Sequence, residues 1–395
     1  MSAHAAVVAT PDWKMAVDLL EAELGGPLTS PDVLVVFIND AWQSRYPELL
    51  RELRQRTGAS TIIGGSASGV LAEGREYEDM PGLSCLALWL PEVTATPVRL
   101  HQESLPLLDD PETWHAHTGV DPAGLTGVLL VADPYRMDAH ALLCGVRGCY
   151  PGVPVVGGMT SASEHRRQTW LFFDEQVYDE GGVALLLDGP VRIQPVVAHG
   201  AEPVGEVWTV TKADRHCILE ISGRPALDML FETAKVVYGN EQQGGFSYGD
   251  WLIGFAANEY QDRFHRGDFI VRGILGSDHD RRGIVVGGMP RVGQTVQFQL
   301  RDAALADVDF RQHLLDVRAA RDAQPAAALL FTCNGRGEDM FGEPDHDAAT
   351  VQTLLPGVPV AGMFCNGEFG PASPKQTPVL HGFTATLGLL IPAGS

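Results

Sequence analysis

The stretch Ala327 to Pro371, AALLFTCNGRGEDMFGEPDHDAATVQTLLPGVPVAGMFCNGEFGP, decides the fold. Ala327 to Cys333 is an apolar run of strand length, and Asn334-Gly335-Arg336-Gly337 interrupts it as a glycine-rich turn. Asp345 to Leu355 carries a cap and apolar positions at helical spacing, and Pro356-Gly357 stops it. Val358 to Phe364 is a second apolar run, ending in Asn366-Gly367-Glu368. A strand–helix–strand unit makes the two strands parallel neighbours, so both loops open on one sheet edge. Open α/β sheets bind ligands at that edge.

The same order occurs three times. One copy holds DVLVVFIND (32–40), STIIGG (60–65) and PGLSCLALWLP (81–91). Another holds GVLLVADP (127–134), VPVVGG (153–158) and EGGVALLLDGP (180–190). The third adds VPVAGM (358–363) and HGFTATLGLLIP (381–392) to the opening stretch. Val33 to Gly64, Gly127 to Gly157 and Ala327 to Ala361 span 31, 30 and 34 residues. The spacing predicts an α/β fold: mixed sheets built from three β-α-β-β-β-like repeats, with a strand-rich inserted region between the second and third. The period is too long and too interrupted for a solenoid.

Composition narrows the functions. A formal net charge of −22 on 395 residues lacks the basic face that nucleic acid or anionic lipid requires. No segment resembles a signal peptide, and no run is apolar enough to span a bilayer. These features predict a cytoplasmic protein with no nucleic-acid or membrane partner. The six cysteines form no Cys-x-x-Cys pair, and Cys85 and Cys217 sit in strand-like runs as buried thiols. His115 and His117 form a His-x-His pair without a third ligand nearby, which argues for a surface loop rather than a metal.

Along the chain, Asp12 opens a helix bearing Trp13, Ala16, Val17 and Leu20, with Gly25-Gly26 as its end. Gly64 to Gly69, GGSASG, suits a tight turn between strands; Ser66 and Ser68 are able to touch a ligand there. Leu100 to Pro122 is a polar connection, and Trp170 to Tyr178 a hairpin. Arg166 and Arg167 are solvated. Tyr238 to Tyr248 is a glycine- and glutamine-rich connection, and Asp302 caps a helix running to Asp322. The chain ends three residues after Pro392, which leaves no room for an output module.

Several stretches resemble the FIST family (F-box and intracellular signal transduction). They are GGSASGVL at Gly64, PVVGGMTSAS with TWLFFDEQVYDEGGVALLL, and HGAEPVGEVWTVTKADRHCILEISGRPALDML from His199. FTCNGRGEDMF with PVAGMFCNGEFGP is the most specific. The resemblance implies an N-terminal helix and lead-in over 1–31, a FIST N-terminal domain over 32–222 and a FIST C-terminal domain over 223–395. It implies a sensory domain that binds a small ligand, an amino acid or derivative, and signals through a separate protein. Some relatives are similar to haem proteins that sense nitric oxide. Where relatives often have Gly-Cys-x-Pro, this chain has Gly200-Ala201-Glu202-Pro203, which weakens a haem reading.

The expected ligand-binding residues are Arg336, Glu368, Asn334, Gly335, Cys333, Asn366, Gly367 and Ser66, with no catalytic or metal residues. Arg336 offers a planar fork to a carboxylate, and Glu368 accepts an ammonium, so the pair suits a zwitterion. Alternatively the two bond each other and tie their loops together. Asn39, Asp40 and Asp133 occupy matching strand ends in the other copies. A cysteine-dependent enzyme using Cys333 or Cys365 and a pure scaffold are the remaining alternatives.

Overall fold

The computed structural model describes residues 1–25, 30–107, 110–163, 167–239, 247–320, 324–372 and 377–393. Arg166, Gly26, most of the 238–248 connection and the end of the helix expected at Asp322 lie outside them. Each repeat proves longer than its sequence signature. It begins with an edge strand and a lead helix, and only then reaches the expected first strand. In repeat one these are Ser2–Ala9 and Trp13–Glu23, then Val33–Asn39. In repeat two they are Thr94–Leu100 and Pro111–Thr118, then Leu125–Ala132. Repeat three has edge strand Val191–His199, helix Ala303–Ala319 and first strand Ala327–Cys333.

A crossover helix follows in each: Tyr46–Thr57, Ala139–Cys149 and His346–Leu354. The glycine-bearing strand lies parallel to the first: Thr61–Ala67, Val155–Met159 and Val360–Cys365. After a hairpin, an antiparallel closing strand returns: Gly82–Trp89, Gly182–Asp188 and Thr384–Pro392.

The hairpins are exchanged in a cycle. The hairpin after glycine strand one, Gly69–Ala72 and Arg75–Glu78, pairs with glycine strand three. The hairpin of repeat two, Leu171–Phe173 and Gln176–Tyr178, pairs with glycine strand one. Strand Glu368–Pro371 of repeat three pairs with glycine strand two. Three six-stranded sheets result, each completed by a neighbouring repeat. Their inner faces share one core that includes Val35, Phe37, Leu129, Val131, Leu329, Phe331 and Met363. The rings of Phe37 and Phe331 meet edge-on at 5.8 Å. Helices bury the outer faces in separate clusters.

Two expectations are corrected. Residues 2–9 form a strand rather than a lead-in: Ala6 and Val8 are buried under the helices, Ala5 and Val7 pack against the inner core, and the strand pairs with Gly82–Trp89. The polar connection from Leu100 holds the helix Pro111–Thr118, capped by Asp110 and anchored by buried Trp114. Its histidines bond carbonyl groups: His115 Nε2 lies 3.0 Å from the Cys149 oxygen and His117 Nε2 3.2 Å from that of Arg99. Within Gly64 to Gly69 the expected turn between strands falls at Ser68, and Gly64 itself lies inside the strand Thr61–Ala67.

The inserted region is a second compact unit, residues 199–309 with 381–383. Strands Ala201–Asp214, Thr295–Arg301, Trp251–Ala256, Phe269–Asp278, Gly283–Val286 and Cys217–Ile221 pair in that order. Ala201–Asp214 also pairs with Cys217–Ile221, so the sheet closes into an antiparallel barrel. Trp251, Ile253, Ile284 and Phe298 fill it, with Leu230 of helix Ala226–Tyr238. A boundary between residues 222 and 223 falls within this unit, where Cys217–Ile221 pairs with Arg224–Pro225.

Gly157 shows what close strand contact demands. A Cβ there would sit 1.8 Å from the Leu130 oxygen on the parallel neighbour, and φ is +152°. Gly64 meets the Val36 oxygen in the same way at 1.7 Å. Gly157→Ala is therefore expected to cost at least about 3 kcal/mol in urea unfolding. Gly148→Ala, in a helix with open space at the Cβ position, should gain up to about 1 kcal/mol. Equal effects at the two sites would contradict the strand-contact explanation.

Candidate functional site

Three positions, each four residues beyond its strand glycine, come together: Ser68 after Gly64, Ser161 after Gly157 and Asn366 after Gly362. Ser161 is fully buried and organises the group. Its Oγ donates to the Phe364 oxygen at 2.5 Å and accepts the Ser68 N–H at 2.8 Å. Ser68 Oγ donates to Asn334 Oδ1 at 2.8 Å, and Asn334 Nδ2 donates to Asn366 Oδ1 at 2.9 Å. Asn366 Nδ2 closes the ring on the Thr160 oxygen at 3.0 Å. All three repeats thus contribute to one hydrogen-bonded rim at the carboxyl ends of their glycine strands.

This rim lines a cleft of about 480 Å³. Ser68, Asn334 and Asn366 form one part of the wall; Tyr135, Phe364 and the carboxylates of Glu78, Asp79 and Asp339 complete it. Among the described residues that line it, none is a lysine or arginine. The main chain of Glu338 donates to Glu78 at 2.9 Å, and Gly337 leaves room for that carboxylate. Burial pushes the Glu78 carboxyl above its ordinary value. A larger groove of about 1060 Å³ runs past Trp13, Lys14, Glu48 and Arg51, but it gathers none of the strand-end loops.

The expected residues divide. Asn334 and Asn366 reach the cleft, with Ser68 rather than Ser66 beside them. Ser66 is buried: its Oγ donates to the Ser161 oxygen and accepts the Trp170 N–H, both at 3.0 Å. Cys333 and Cys365 lie just behind the two asparagines, half-buried and buried. Gly335 and Gly367 contribute main chain only, and the Gly367 oxygen accepts the Met159 N–H at 2.8 Å. Sequence spacing left out Glu78 and Asp79, which the exchanged hairpin of repeat one brings to the cleft, and Tyr135, which lies in the loop after the first strand of repeat two. The four-residue offset from the glycine was the available signal for Ser161.

Arg336 is corrected most sharply. Only 1% exposed, it is not among the residues that line the cleft. Its Nε and Nη2 donate to Asp347 at 2.7 and 2.9 Å, a two-pronged pair behind the rim. Thr332 Oγ1 donates to the same carboxylate at 2.6 Å, and His346 Nδ1 lies 3.0 Å away. The guanidinium also lies over the Phe341 ring, which stacks on His346 at 3.5 Å. Glu368 is buried as well and accepts the Thr384 hydroxyl at 2.7 Å and its N–H at 3.3 Å. The two residues therefore do not present an open zwitterion clamp.

Burial alone would raise Asp347 and lower Arg336, but their mutual attraction and hydrogen bonds win in both. Asp347 is held well below the usual carboxylate range, and Arg336 is raised. Nearby Glu76 behaves oppositely: burial, then repulsion from Asp347, pushes it up to about 8. Its Oε1 accepts the Ala348 N–H at 2.8 Å, which ties the exchanged hairpin to the third crossover helix.

Removing Arg336 strands a buried carboxylate, so Arg336→Ala should cost about 3–5 kcal/mol in urea unfolding. A loss below about 1 kcal/mol would contradict the buried pair. Glu76 gives a pH signature. Its folded value lies above its unfolded one, so its contribution is complete below pH about 4.5 and disappears as pH rises towards about 8. Relative to Glu76→Gln, the wild type should lose melting temperature steadily from pH 5 to pH 8. A flat difference would mean that Glu76 ionises normally.

Comparison with known proteins places residues 32–224 on the FIST N domain and residues 226–371 on the FIST C domain. An uncharacterised protein of Mycobacterium tuberculosis strain H37Rv is 35% identical over 375 residues, covering 92% of each chain. An uncharacterised protein of Mycobacterium bovis is 35% identical over 404 residues, covering 98% of this chain and 97% of its own. Among solved structures, a cyanuric acid hydrolase described as an evolutionary innovation by structural concatenation covers both chains fully, at 10% identity and a TM-score of 0.33. Cyanuric acid hydrolase from A. caulinodans gives 7% identity and a TM-score of 0.36, covering 100% of this chain and 99% of its own. No helix among the described residues is long and apolar enough to cross a membrane.

Proposed function

Because this chain belongs to the FIST family, we propose that it is a cytoplasmic sensory protein that binds a small polar ligand without turning it over. It passes the bound state to a separate signalling protein. The observation that carries this reading is the rim of Ser68, Ser161, Asn334 and Asn366, drawn from all three repeats, beside the cleft. Amide and hydroxyl groups on loops held by rigid strands are suited to orienting a small molecule.

The wall chemistry selects the ligand within the amino-acid class. Glu78, Asp79 and Asp339 favour an ammonium group, and among the described residues of the wall no basic side chain answers a carboxylate. Amines and amino-acid derivatives with a masked carboxylate fit better than free amino acids. Haem does not fit this wall, which presents no histidine, cysteine or methionine among its described residues. Beside the expected cysteine position at Ala201, His199 is buried and packs edge-on against His381 at 5.8 Å.

A thermal-shift panel of primary amines, amino-acid amides, free amino acids and dicarboxylates tests the reading. Amines and amides should raise the melting temperature. Asp339→Asn should weaken binding at least about tenfold, with the unliganded melting temperature unchanged. Stabilisation by dicarboxylates alone would refute the cationic ligand. Consumption of the stabilising ligand would refute the non-catalytic role.

A further inference from the structure

Cys333 and Cys365 stand directly opposite each other in the parallel pair of first and glycine strands. In-register neighbours on parallel strands point to the same face, with Cα atoms about 4.8 Å apart. That separation lies within the range a disulfide spans, about 4.4–6.8 Å. The pair is also the last rung of its ladder. Pairing with the closing strand stops at Thr332 opposite Ala385, and pairing with the exchanged hairpin stops at Met363 opposite Val70. Beyond the rung the two strands stay joined by the Asn334 N–H, which donates to the Cys365 oxygen at 3.0 Å. Accessibility divides the roles: Cys333 is half-buried and Cys365 fully buried.

We propose that Cys333 and Cys365 form a reversible disulfide when a hydroperoxide oxidises Cys333. The Cys333 thiolate attacks the hydroperoxide, breaking its O–O bond. Cysteine sulfenic acid forms, and the reduced oxygen leaves as water or an alcohol. Cys365 then attacks that sulfur as its thiolate, forming the S–S bond and releasing the sulfenic oxygen as water. Two electrons pass from the two sulfurs to the hydroperoxide. Burial pushes the Cys365 thiol well above its ordinary value, so the second step is slow at neutral pH and accelerates as pH rises. Asn334 and Asn366 follow the two cysteines directly, and the crosslink fixes the separation of these two rim residues. Formation of the bond does not depend on the identity of any ligand.

The test treats the whole protein with hydrogen peroxide at pH 8, blocks remaining thiols with N-ethylmaleimide and maps the peptides by mass spectrometry. Two of the six thiols should be lost together in a Cys333–Cys365 linked peptide, and dithiothreitol should restore both. Cys333→Ser should leave Cys365 fully alkylated under denaturing conditions. Cys333 recovered as sulfinic acid beside an intact Cys365 thiol would overturn the proposal. So would linkage of either residue to another cysteine, or full retention of both thiols.

Discussion

The unit of residues 1–198, 310–380 and 384–395 depends on one constraint: no repeat completes its own sheet. Each glycine strand must accept a hairpin from another repeat, and each hairpin must leave its own strand to provide it. Gly64 and Gly157 permit the tight parallel contact that precedes each departure, because any side chain there would collide with a neighbouring carbonyl group. The inner faces then share one apolar core, so burying one repeat buries all three. The same exchange places residues far apart in sequence on a single rim, as with Ser68 and Asn334.

Charge is arranged around this rim in two layers. Behind it, Arg336 is committed to Asp347, with both groups desolvated and hydrogen-bonded. A buried pair of this kind holds its loops in one arrangement, and losing either member leaves an uncompensated charge. In front, the carboxylates of Glu78, Asp79 and Asp339 face the cleft. The most conspicuous cation of the central motif thus positions the site, and the hairpin carboxylates set its polarity.

Much of this fold was legible in the sequence. The three apolar strand pairs with their glycines gave the repeat, and the strand-rich stretch after Val191 gave the insertion. The edge strands escaped because Ser2–Ala9 and Thr94–Leu100 bury only alternate or scattered residues. For the site, strand-end logic found Asn334 and Asn366, which local chain direction alone places. It mistook Arg336 for a ligand contact because its partner Asp347, eleven residues away, sits in the first turn of the third crossover helix. Which partner a charged residue takes is a property of packing, and the linear pattern does not carry it. The Glu78–Asp79 pair was hidden for a related reason: the exchange that brings it to the cleft has no local sequence signature.

Hydrogen–deuterium exchange of the whole protein, with and without a stabilising amine, tests the central claim most directly. The account predicts ligand-induced protection at the strand ends of all three repeats together: around Ser68 and Glu78, around Tyr135 and Ser161, and around Asn334 and Asn366. Protection confined to the barrel of residues 199–309, or to one repeat alone, would contradict a ligand site built by three-way exchange.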